Sequence, residues 1–162
     1  MAATSTNKQP LLVDHVLHVV ESLSDAINNG IDITGTNTAI LLVDSTSADG
    51  AIIECVYLVA RPMSQGNPAA GEYSVNLYMS SARDYLRPNE ARFLGGFKSA
   101  TTAKEITRWE DMPTILAPVP HVGEQYSQAL YIPKGYSLWA AIDTSNQVLS
   151  GAPNIGVQGG WY

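Results

Sequence analysis

Charge is scarce in this sequence. Asp, Glu, Lys and Arg make up only 15% of 162 residues, against about a quarter in an average soluble chain. Either partners cover much of the surface, or Ser, Thr, Asn and Gln carry its solubility. Basic residues are scarcer still: nine Lys and Arg against fifteen Asp and Glu, a net charge of −6. No run of them occurs, which argues against a sequence-independent nucleic-acid binder needing clustered cations. A single cysteine, Cys55, excludes an intrachain disulfide. Set in an apolar stretch, it reads as a small buried hydrophobe. No apolar run approaches the ~20 residues of a membrane span. Residues 1–8 lack the basic-then-apolar layout of a signal peptide. These absences predict a chain without membrane contact, made in a cytoplasm.

What is present suits one domain. The length matches a single core, and 45% of the residues are hydrophobic. Residues 1–10 form a polar N-terminal arm, and residues 11–162 read as one unit. The period of residues 11–23 is ambiguous. Val13, Val16, Leu17 and Val20 fit a helical face, while Leu11, Val13, Leu17 and Val19 fit alternation; the β-branched content favours a strand. Residues 24–37 carry turn signals at Asn28-Asn29-Gly30 and Gly35-Thr36-Asn37.

Beyond them, short strands follow one another. Strands are predicted over 38–44, 51–61, 72–79, 91–98, 114–119, 128–132, 136–143 and 154–158. Residues 51–61 are almost continuously apolar, which predicts cover on both faces. Residues 72–79 alternate, with Tyr73, Val75, Leu77 and Met79 inward. In 91–98, alternation puts Phe93, Gly95 and Phe97 on one face. A helical turn is expected around Ala103-Lys104-Glu105. Eight or nine short strands with turns between them predict an all-β sandwich or barrel.

Few residues converge on chemistry. His15 and His18, with Asp14 and Glu21, could ligate a metal on a helix, but on a strand their side chains point to opposite faces. His121 stands alone in a loop. Structural zinc wants cysteine pairs, and there are none. Asp44, Asp49 and Glu54 surround a turn, but not at the spacing of a calcium loop; they read as solvated carboxylates. Glu110 and Asp111, beside Trp109, are adjacent in sequence, unlike glycosidase carboxylates facing across a cleft. Neither a nucleophile elbow nor a phosphate loop nor a dinucleotide fingerprint occurs. The expectation is no enzyme, no cofactor and no metal.

The aromatic residues say more. Alternation over 136–143 sets Tyr136, Leu138, Ala140 and Ile142 on one face and Ser137, Trp139, Ala141 and Asp143 on the other. Trp139 thus lies on the more polar face, either packed under a loop or opposite sheet, or set in a subunit interface. Trp161 and Tyr162 raise the same choice, since an exposed aromatic tail would be a sticky patch. Leu11, Leu12, Val13, Trp139, Trp161 and Tyr162 are the candidate interface residues.

The stretch Ile132-Pro133-Lys134-Gly135-Tyr136-Ser137-Leu138-Trp139-Ala140-Ala141, followed by Val157-Gln158-Gly159-Gly160-Trp161-Tyr162, resembles small jelly-roll proteins of tailed bacteriophages. The Ala48-Asp49-Gly50-Ala51 turn looks similar too. The resemblance covers residues 38–162 and rests on short motifs. It implies a jelly-roll β-sandwich of about eight strands, acting as a capsid cement or decoration protein. Such proteins form trimers that bridge neighbouring major capsid proteins on the outer capsid surface of the virion. It implies no catalytic residues. A tail, baseplate or fibre jelly-roll binding host-surface glycan is the alternative, with Trp109, Trp139 and Tyr78 as stacking candidates.

Overall fold

The computed structural model describes residues 15–23, 27–28, 39–60, 73–82, 86, 89–100, 102, 104–110, 129–143 and 152–161. Its regular elements are strands: β1 (His15–Ser22), β2 (Ile27–Asn28), β3 (Ile40–Asp44), β4 (Gly50–Val59), β5 (Ser74–Ser80), β6 (Arg92–Lys98), β7 (Ile106–Arg108), β8 (Leu130–Pro133), β9 (Ser137–Asp143) and β10 (Asn154–Trp161). They form two five-stranded sheets. Sheet A runs β1-β10-β4, and the far edge of β4 is shared by β7 and β8. Sheet B runs β6-β5-β9, and the far edge of β9 is shared by β3 and β2. Every pairing is antiparallel except β2 with β9.

The two sheets close on one core, making an all-β sandwich. Sheet A contributes Leu17, Ile53, Val56, Leu58, Leu130, Ile132, Ile155 and Val157; sheet B contributes Val43, Val75, Leu77, Leu138, Ala140 and Ile142. Each fully buried Leu, Ile or Val contributes roughly 1.5–3 kcal/mol through apolar area withdrawn from water. The period of two in β5 and β9 places these groups inward, as the sequence predicts. Trp109 fills the space between β7 and β6. Its indole stacks on Phe97, with ring centroids 6.3 Å apart. It also presses on Gly95, where φ is +148° and a Cβ would lie 2.8 Å from the ring. Only glycine fits there.

Several expectations need correction. The outward face of β4 is not fully covered: Ile52, Cys55, Tyr57 and Val59 are half-buried and Glu54 is exposed. Cys55 is therefore half-buried and outward-facing. It sits beside a β-bulge, where the register with β10 shifts between Gln158 and Gly159. A second bulge interrupts β6: Leu77 pairs with Gly95 but Tyr78 pairs with Phe93. The extra residue, Leu94, moves Phe93 to the outer face, where it is 63% exposed. No helical turn forms at Lys104-Glu105. Lys104 adopts φ 71°, its N–H donates to the Ala60 carbonyl, and the Ala60 N–H donates to the Glu105 carbonyl. These bonds tie the segment to the end of β4 and lead it into β7. The strand expected over 114–119 lies outside the described residues, as does most of 24–37.

Candidate functional site

The outer face of sheet A is the most open apolar surface among the described residues. Strand register sets its side chains in four rows. Val16, Gly160, Ile52 and Tyr131 form the first row, and His18, Gln158 and Cys55 the second. Val20, Gly156, Tyr57 and Arg108 form the third, and Ser22, Asn154, Val59 and Ile106 the fourth. Val16 is 85% exposed, Ile106 58% and Val20 49%. Each alternates with an inward neighbour, since Leu17 is buried and Val19 packs against the core.

Glycine shapes this face. A Cβ on Gly156 would strike the Tyr57 ring, because that ring lies flat over the glycine. From there the Tyr57 hydroxyl reaches His18 Nε2 at 3.1 Å. One aromatic ring so crosses β10 and links β4 to β1, covering a backbone that would otherwise be bare. The sequence reading missed Val16, Val20 and Tyr57. The signal for the two valines lay in the alternation of residues 15–22, once a strand is accepted there.

Trp139 has a different setting. It is only 3% exposed and packs with Leu86, Leu41, Tyr78, Ala39 and Ala91 on the outer face of sheet B. Leu86 comes from the connection between β5 and β6. Of the two choices left open for Trp139, the geometry matches packing beneath its own chain. Its indole N–H meets no acceptor among the described residues. Trp161 points the other way, pairing with Ala51 and packing on the main core. The structure therefore does not bring Trp139 and Trp161 together: they sit on different sheets, one outside and one inside. Leu11, Leu12, Val13 and Tyr162 lie outside the described residues. Trp109 is buried in the core.

The polar candidates scatter. Asp44 accepts a hydrogen bond from the Thr46 N–H at 2.9 Å and one from the Ser137 hydroxyl at 3.4 Å, ordering its turn. Asp49 pairs with Lys134 at 2.8 Å, both exposed. The hydrogen bond from Lys134 and its charge hold the Asp49 carboxyl below its usual range and push the Lys134 ammonium up. Burial raises the Tyr73 phenol, whose hydroxyl has no hydrogen-bond partner among the described residues. No group of three or more His, Cys, Asp or Glu among the described residues is placed to hold a metal ion. No helix among them is long and apolar enough to cross a membrane.

This arrangement suits contact more than chemistry: aliphatic groups on a hydrogen-bonded sheet, with few charges among them. No protein family, curated protein or solved structure matches this chain.

Proposed function

We propose that the chain is a structural virion protein: a capsid cement or decoration protein of a tailed bacteriophage. In this reading it is a homotrimer on the outer capsid surface, bridging neighbouring major capsid proteins and working without catalysis. The resemblance of residues 38–162 to small phage jelly-rolls motivates it. The strand order lends support: with β2 and β7 set aside, β1-β10-β4-β8 in one sheet and β3-β9-β5-β6 in the other match the order expected of an eight-stranded jelly roll. The observation that carries the reading is the outer face of sheet A, where Val16, Val20 and Ile106 stand exposed on a chain with only 15% charge. Such a face is suited to contact with a partner, which supports the reading.

Many modest contacts repeated by symmetry would resist the pressure of packaged DNA through avidity, without a tight single contact. An acidic shell component would also not trap DNA. The glycan-binding alternative gains nothing comparable. Trp109 and Trp139, two of its three stacking candidates, are buried, and a sugar cannot stack on a ring that solvent does not reach.

The test is stoichiometry. Quantitative mass spectrometry of purified particles should find hundreds of copies per virion, and electron microscopy should place them on the outer shell. A handful of copies at the tail would overturn the proposal.

A further inference from the structure

Among the described residues, the two sheets end in edge strands of opposite character. β6 closes sheet B with Arg92 and Lys98 at its ends, a bulge at Leu94, and glycines at 95 and 96. Charges, bulges and interrupted pairing are how native edges avoid adding another strand. β1 closes sheet A with a single formal charge, Glu21 near its end, and no bulge. It has neither Lys nor Pro, its register with β10 runs unbroken from His15 to Ser22, and its outer edge pairs with no strand among the described residues.

We propose that β1 pairs antiparallel with β1 of a second copy, about a two-fold axis at His18, joining two A sheets into one. The register follows from chemistry. Opposed residues of an antiparallel pair must point to the same face and direct their backbone groups alike. In a symmetric β1 pair this allows only registers in which opposed residues have the same parity. Centring on His18 sets His15 opposite the partner's Glu21, Val16 opposite the partner's Val20, and Leu17 opposite the partner's Val19. An imidazole faces a carboxylate, and each aliphatic group faces another. Shifting by one residue either way sets Leu17 opposite the partner's Glu21, or His15 opposite the partner's Val19. The strand is self-complementary in one register, as an isologous contact requires, and cross-strand pairs of these kinds are favourable. The exposed Val16 and Val20 then cover one another on the outer face.

This contact concerns the isolated chain and does not rest on the capsid reading. A particle holding few copies would sink that reading and leave this one intact. Two-fold pairing makes the isolated chain even-numbered: a dimer alone, or, where the three-fold contact of the capsid reading also forms, two trimers joined through β1 as a hexamer that separates into trimers on the shell.

Cysteine cross-linking tests the register on the full chain carrying Cys55→Ser. His18→Cys places the new thiols opposite each other at the axis, within disulfide reach, and oxidation should yield a covalent dimer as the main species. Val20→Cys places its two thiols about 13 Å apart, beyond bridging, and should yield none. Both positions are exposed, so neither change disturbs the core. Sedimentation of the unmodified chain should give an even number of copies, and Val16→Lys should halve it. No dimer from His18→Cys, equal dimer from both positions, or a monomer or trimer from the unmodified chain would each overturn the proposal.

Discussion

The outer faces of the two sheets meet opposite fates. On sheet B, Leu41, Trp139, Tyr78 and Phe93 form one row across β3, β9, β5 and β6. Exposure grows along that row, from a buried Trp139 under Leu86 to an open Phe93 at the edge. On sheet A, the row of Val20, Gly156, Tyr57 and Arg108 has no such cover among the described residues, and its outermost aliphatic group, Val20, is 49% exposed. The difference lies in connectivity, since the link between β5 and β6 carries Leu86 onto one face. An outward aromatic residue is therefore a poor sign of an interface where a long connection can fold over it. An outward valine on an unguarded edge strand is a better one.

The sharpest way to break this contrast is to remove a group from each face. Trp139→Ala should cost about 3–5 kcal/mol, as expected for a buried tryptophan leaving a cavity. Ile106→Thr, at an exposed position of sheet A away from β1, should shift stability by less than about 0.5 kcal/mol, as exposed substitutions do. Urea unfolding of both variants measures this. Equal costs would mean that Ile106 is covered or Trp139 is not.

Gly156→Ala tests the open face from beneath. The new methyl group must displace the Tyr57 ring and with it the hydrogen bond to His18, at about 1–2 kcal/mol. Adding Tyr57→Ala should remove most of that penalty, so a double-mutant cycle would show strong coupling. Additive costs would place Tyr57 elsewhere.

The smallest effect belongs to Asp49 and Lys134, which lie in the turns before β4 and β9. Asp49 has a lowered pKa when folded, so its stabilising contribution is present above its unfolded value of 3.8 and is lost as pH falls through the folded value. Both groups are exposed and screened by solvent, so the contribution is slight. Melting curves of the wild type and Asp49→Asn should differ slightly near pH 6 and converge as pH falls below the folded value of Asp49. A difference that grew as pH fell would contradict the pairing.

The sandwich was legible because alternation survives in β5 and β9, where inward Val75, Leu77, Leu138 and Ile142 have no competing signal. Bulges were not legible. Nothing in the run Phe93-Leu94-Gly95 announces that one residue will be left unpaired, because the extra residue is a property of two strands together. Sheet membership was hidden for the same reason. β9 and β10 follow each other in sequence, yet they lie in different sheets, which separates Trp139 from Trp161. The open site was only half legible: Val16 and Val20 alternate with Leu17 and Val19, but the same valines also fit a helical stripe. Tyr57 over Gly156 depends on a register between β4 and β10, 99 positions apart, that no local pattern encodes.

The central place of β10 sets an order on synthesis. β1 and β4 are neighbours only through β10, which pairs with both along nearly its whole length. The ribosome makes β1 first and β10 last, with more than a hundred residues between them. Until residues 154–161 emerge, sheet A is β1 on one side and β4 with β7 and β8 on the other, with an empty lane between them. β4, the longest strand, therefore stays unpaired on one side until β10 is made, and β10 closes the sheet by insertion. Pairings this distant in sequence form slowly, so closing sheet A is a late step of folding.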